Sequence, residues 1–209
     1  MQTTAILLLE DGNFFEGKAL GQIGTHSGEL CFNTGMTGYQ EIYTDPSYYG
    51  QIIINTTAHI GNYGTIPEDN ESANVKISGM ICSNFSEIYS RHTAQASLQD
   101  YLAKAGIVGI YGLDTRALVR HIRSQGAMNG IISSEIYDLK VLKRMLDETP
   151  SMDGLELASQ VSTPEAYFVG NPNAKYRVAV LDYGIKQNIL NNLASRDCYC
   201  QVYPARTSF

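Results

Sequence analysis

The sequence predicts an α/β chain in two unequal parts. A layered β/β/α domain over residues 1–152 combines a parallel sheet, an antiparallel sheet and helices on one side. After a linker over 153–175, residues 176–209 form the first βαβ of an incomplete doubly wound domain. Three observations carry this reading. Short apolar runs separated by glycine turns fill the first third without helical periodicity. From about residue 75 strands alternate with capped amphipathic helices, which implies parallel pairing through right-handed crossovers. Last, residues 176–184 run from an apolar strand into a glycine turn, with a helix and a second strand behind them.

Taken in order, residues 5–9 (Ala-Ile-Leu-Leu-Leu), the turn at 10–13 and Phe14-Phe15 read as a hairpin. Residues 17–28 continue as short extended pieces broken by four glycines. Residues 29–32 are apolar, and the chain then enters a polar stretch with Gly35, Gly38 and Asp45-Pro46-Ser47, read as a loop. Strands are expected at 51–56 and 75–82, with a surface loop at 67–74 between them. Residues 97–105 are helical, with Gly106 placed to end the helix, and 107–110 form a short buried strand. Asp114 caps the next helix, which carries Leu118, Val119 and Ile122 on one face. A strand at 128–133 follows, then Asp138 caps a helix with Leu139, Leu142, Met145 and Leu146 on its apolar side. Pro150, Pro164 and Pro172 mark the linker. About thirty residues cannot bury a doubly wound core, so the tail is expected to be mobile or paired with another chain.

Composition narrows the function classes. The chain has 209 residues, 44% of them hydrophobic, and a formal net charge of −6. With no cluster of lysine or arginine, binding to a phosphate backbone is not expected. No stretch has the length of a membrane span and no basic-then-apolar leader opens the chain, which suggests a cytoplasmic protein. Cys31, Cys82, Cys198 and Cys200 read as reduced thiols, the last two on one face of a strand without further ligands nearby. None lies in a Gly-x-Cys-x-Gly turn. His26, His59, His92 and His121 lack metal-like spacing, and no catalytic triad assembles from residues present. Gly35-Met-Thr-Gly38 lacks the lysine and hydroxyl of a phosphate-binding loop, so no ATP chemistry is expected in this chain.

Two side chains stand out as candidate ligand groups. Ser47 presents a hydroxyl on a proline-led turn, where it either stabilises its own turn or hydrogen-bonds a carbonyl or carboxylate. Lys186 follows Asp182-Tyr-Gly184 at the carboxyl end of a strand, the edge where doubly wound sheets gather ligands; the alternative is a solvated helix lysine. His59 is placed to pin its loop by hydrogen bonds, His121 to lie on the surface, and Arg116 to form an ion pair.

Longer words add a resemblance. Phe32-Asn-Thr-Gly-Met-Thr-Gly-Tyr-Gln-Glu-Ile, Thr44-Asp-Pro-Ser-Tyr and His59-Ile-Gly-Asn recur in order as they do in the N-terminal domain of the small, glutamine-hydrolysing subunit of carbamoyl-phosphate synthase. The family's usual proline before the last word is Ala58 here. Asp114-Thr-Arg-Ala-Leu, Gly126-Ala-Met-Asn-Gly and Asp182-Tyr-Gly-Ile-Lys-Gln-Asn-Ile-Leu resemble further words of the same subunit, the last from the start of its class I glutamine amidotransferase domain.

The resemblance implies a subunit that hydrolyses glutamine and passes ammonia to a large subunit. There, bicarbonate, ATP and divalent metal yield carbamoyl phosphate for arginine and pyrimidine biosynthesis. It implies that the nucleophilic cysteine, histidine and glutamate lie beyond Phe209, so that this chain holds no catalytic residue or cofactor and is inactive alone. It also implies that Ser47 reaches across a domain interface to help hold glutamine, with Lys186 near the same site. The expected partners are the large subunit and glutamine, with neither nucleic acid nor membrane. The alternative is a free-standing interaction module that retains only the domain.

Overall fold

The structure is a computed structural model that describes residues 3–208. Strand β1 (Thr4–Leu9) turns back into β2 (Phe14–Gly21), and β3 (Thr25–Asn33) follows. Helix α1 (Tyr39–Thr44) and a 3-10 turn (Pro46–Tyr48) lead to β4 (Ile52–Asn55) and β5 (Gly79–Cys82). Then come α2 (Leu98–Lys104), β6 (Val108–Tyr111), α3 (Thr115–Gln125), β7 (Asn129–Ser133) and α4 (Leu139–Asp147).

The seven strands close into a barrel in the order β1-β2-β6-β5-β4-β3-β7. Strands β3, β4, β5 and β6 pair in parallel, while β1, β2 and β7 complete the circuit antiparallel. Both kinds of sheet predicted from the sequence are therefore present, but as one closed surface instead of two layers. The reason lies in β1 and β4, buried at nearly every position. Ala5, Leu7 and Leu9 join Leu30, Ile52, Ile54, Ile81, Val108, Ile110 and Ile132 in one cluster fed by strands all round the sheet, which makes it the lumen. The alternate residues face outward and are covered too. Ile6, Leu8 and Ile131 lie under Leu142 and Leu146 of α4. Ile53, Met80 and Cys82 lie with Tyr39 and Tyr43 of α1 and with Leu98 and Leu102 of α2. Leu118 and Ile122 of α3 join the lumen cluster. Helices α1, α2 and α4 thus cover the outside of the barrel while α3 packs into its lumen, correcting the expectation that the helices share one side. Two covered faces explain why strand sequences such as Ile52-Ile-Ile lack alternation.

Residues 153–175 are more than a linker. They contain the short helix α5 (Ala158–Val161) and strand β8 (Tyr167–Val169). Strand β9 (Tyr176–Asp182), helix α6 (Gln187–Ala194) and strand β10 (Cys198–Pro204) then form the expected βαβ unit, with β9 and β10 parallel. Strand β8 adds antiparallel to the other edge of β10, giving the sheet order β8-β10-β9. Leu190 of α6 covers Cys200 and Val202, with Val178 and Val180 beside them. The opposite face leaves Phe168 and Leu181 exposed.

Candidate functional site at the seam between barrel and βαβ unit

The polar stretch after β3 is expected to be a loop, and residues 34–38 are one, but Tyr39–Thr44 form helix α1. Gly38 takes φ +84° and starts α1, and its N–H and that of Tyr39 both donate to the Tyr63 hydroxyl, at 2.7 and 3.0 Å. The Tyr39 ring stacks on Tyr63 with centroids 4.1 Å apart, and its hydroxyl donates to the Gly64 carbonyl. The first word is therefore packed on Tyr63 and Gly64, the two residues that follow the last word before β5. Gln40, wholly buried, accepts from Ile66 N–H and donates to the Ile66 carbonyl, pairing like a strand. Its amide also donates to Asn70 Oδ1, which accepts from the Tyr101 hydroxyl; burial pushes Tyr101 up to about 12, so it remains a donor at neutral pH. The Thr44 hydroxyl accepts from Glu71 N–H at 2.8 Å. Helix α1 thus fixes residues 66–71 by side-chain bonds, and Glu71 faces the βαβ unit as a result.

Glu71 makes two contacts across the seam. Its backbone carbonyl accepts from Gln187 N–H at 2.8 Å, and its carboxylate accepts from Asn188 N–H at 2.9 Å. These are free N–H groups of the first turn of α6, where a negative charge is favoured. Gly184, at φ +97°, lies between Pro46 and Val161; a Cβ there would stand 3.0 Å from Pro46 Cβ and 2.9 Å from Val161 Cγ2. Asp182 ends β9 by accepting from Gly184 and Ile185 N–H with one oxygen and from Thr163 N–H with the other. A cleft of about 450 Å³ opens beside this seam, lined by Pro46, Glu71, Lys76, Thr163, Asp182 and Gln187 among others.

Ser47 and Lys186, predicted separately from the sequence, come together here through a residue that the sequence reading passed over. Asp45 is buried, and its Oδ1 accepts from Ser47 N–H at 2.9 Å. Its Oδ2 pairs with Lys186 Nζ at 2.7 Å. That hydrogen bond raises the lysine pKa above its ordinary value, which keeps the ammonium charged at any physiological pH. Ser47 is exposed, and among the described residues its hydroxyl has no hydrogen-bond partner. Asp45 and Glu71 were accessible to sequence reasoning only as a turn former and a loop acid. The partners that give them meaning lie more than a hundred residues away.

Other expectations meet mixed outcomes. His59 is exposed and makes no hydrogen bond among the described residues, so it does not pin its loop; Tyr63 does that work. His121 is at the surface, 2.5 Å from Asp11. Arg116 is exposed and forms no ion pair among the described residues. The four cysteines are free thiols. Among the described residues no three His, Cys, Asp or Glu side chains gather to hold a metal ion, and no helix is long and apolar enough to cross a membrane.

Fold and seam together define an α/β protein in which a closed mixed barrel packs against a parallel βαβ unit. Residues 7–132 match the carbamoyl-phosphate synthase small chain, CPSase domain, and the chain belongs to that family. It is 47% identical over 204 residues to the carbamoyl phosphate synthase small chain of Chlorobaculum tepidum, covering 98% of this chain and 56% of that one. The same-named proteins of Synechococcus sp. (48%, with 97% and 55% covered) and Aquifex aeolicus (44%, with 98% and 58% covered) are similar over the same span. The chain therefore spans little more than half the length of these relatives. Among solved structures, an aminopeptidase from Aneurinibacillus sp. strain AM-1 aligns over 98% of this chain and 51% of its own at 12% identity and TM-score 0.37, too low to bear on fold or function.

Proposed function

We propose that this chain is the buttressing part of a carbamoyl-phosphate synthase small subunit. In that reading the whole subunit hydrolyses the glutamine side-chain amide by attack of a cysteine thiolate, with a histidine moving the proton. The ammonia passes to a large subunit, which combines it with bicarbonate at the expense of ATP and with the help of divalent metal. None of these reacting groups is assigned to residues 3–208. This part holds the glutamine side of the site and docks on the large subunit, in the cytoplasm.

One observation supports the reading above others: Ser47 on the barrel and Lys186 just past the carboxyl end of β9 are held by a single carboxylate, that of Asp45, through the serine backbone N–H and the lysine ammonium, which leaves the serine hydroxyl free. A hydroxyl without a partner beside a fixed cation is suited to a polar, carboxylate-bearing amino acid. The carboxyl ends of strands in doubly wound sheets are also where ligands bind.

The test is Ser47→Ala in the small subunit assembled with its large subunit. Loss of one neutral hydrogen bond, about 0.5–1.5 kcal/mol, should lower kcat/KM for glutamine roughly three- to tenfold, mainly through KM. Synthesis driven by added ammonia bypasses glutamine and should be unchanged. Unaltered glutamine kinetics would leave Ser47 as a turn residue and defeat the assignment. Equal losses with both nitrogen sources would point to folding or to the subunit contact.

A further inference from the structure

We propose that Asp45 is the positioning residue of the seam, setting the distance between the Ser47 turn and Lys186 and through them the affinity for glutamine. The inference rests on the reading of Ser47 and Lys186 as glutamine-side groups. It adds a residue that touches no substrate and acts through both.

The argument starts from burial. The Asp45 side chain is 7% exposed, and a buried carboxylate is costly unless it is paired and hydrogen-bonded. Asp45 has both kinds of partner, one on each side of the seam. Oδ1 takes the Ser47 N–H at the start of the 3-10 turn, which fixes the direction of the turn and of the serine that it carries. Oδ2 takes the Lys186 ammonium. Lys186 is the residue just before α6, in extended backbone, with its side chain 43% exposed. A lysine that open to water has a long flexible stem and several rotamers available. The Asp45 oxygen selects one of them, and the two Glu71 contacts hold the backbone from which it projects. Gly184 permits the approach by having no Cβ to meet Pro46. Because the two oxygens of one carboxylate are rigidly spaced, the hydroxyl-bearing turn and the ammonium keep one relative position. That is what a two-point ligand site requires.

The experiment uses the assembled enzyme and four variants: Asp45→Asn, Lys186→Met, their double, and Ser47→Ala as a reference. The amide of Asp45→Asn has nearly the same shape and still offers one oxygen to Ser47 N–H, but it carries no charge for Lys186. It should raise KM for glutamine roughly three- to tenfold, with kcat within about twofold of wild type and ammonia-dependent synthesis unchanged. If Asp45 acts through the lysine, the double variant should be no worse than the poorer single variant. A merely structural role would lower the midpoint of thermal unfolding and reduce both activities together, without the KM-against-kcat split. Three further outcomes overturn the inference. Unchanged glutamine KM in Asp45→Asn, while Lys186→Met or Ser47→Ala raises it, removes Asp45 and leaves the site reading standing. Fully additive losses in the double variant separate Asp45 from Lys186. No effect on glutamine KM in any variant removes the site reading and this inference with it.

Discussion

At the scale of single residues, chemistry here follows burial and partner. Asp45 and Lys186 neutralise each other, and Glu71 and Asp182 are each filled by backbone N–H groups. Cys82 is the opposite case, a thiol with no exposed surface, pushed up to about 12 by burial. At pH 8 only about one in ten thousand such groups is a thiolate, and the thiolate is the reactive form. Cys82 should therefore resist iodoacetamide at pH 8 in the native protein and be labelled only after unfolding. The partly exposed Cys198 should react without denaturant. Peptide mass spectrometry with and without guanidinium reads this directly. Rapid native labelling of Cys82 would mean that the outer face of β5 opens on the labelling timescale.

At the scale of elements, the helices are held at their ends and by the barrel. Asp114 Oδ1 accepts from Ala117 N–H at 2.9 Å, and Asp138 Oδ1 accepts from Lys140 N–H at 2.8 Å, so both predicted caps are formed. Helix α3 places Leu118 and Ile122 in the lumen cluster, so fraying at its first turn reaches the core. Asp114→Ala should lower stability by about 0.5–2 kcal/mol, the usual loss for an acidic or hydroxyl cap, measured as a shifted urea midpoint at unchanged slope. A loss below the error of the extrapolation would show that the lumen holds α3 without its cap. Helix α1 has a different basis. Its six residues are too few to be stable alone, and Tyr63, Gly64 and Ile66 fix it through side-chain hydrogen bonds.

For the whole molecule, the contrast is between a closed sheet and an open one. In the barrel every strand has a neighbour on both sides, which leaves no edge to fray or to recruit another chain. The sheet β8-β10-β9 has two free edges and one face bare of helices, with Phe168 53% and Leu181 42% exposed. Local opening follows such differences. In native-state hydrogen exchange, amides of β4, β5 and β6 should be the slowest in the molecule. Those of β9 that point away from β10 should exchange faster by orders of magnitude. Uniformly high protection across residues 176–204 in a demonstrated monomer would show that the seam contacts of Glu71 and Asp45 stabilise the open sheet as firmly as closure stabilises the barrel.

Local signals determined a good deal by themselves. Strand runs, Asp caps and the glycines at 106 and 184 encode most elements near their observed places, because propensity, capping and left-handed φ act within a few residues. The ordered words from Phe32 to Asn62 and at Asp182 carried the family. Tertiary structure alone decided the rest. A strand buried on both faces has the same sequence pattern in a layered sheet and in a closed one, so closure came from pairings such as β2 with β6 and β3 with β7. Helix α1 was hidden because its support comes from Tyr63 and Ile66, and β8 because among the described residues it pairs only with β10. The seam was hidden for the same reason. Asp45 and Lys186 are 141 positions apart in the chain, and an ion pair between them leaves no mark on the residues around either.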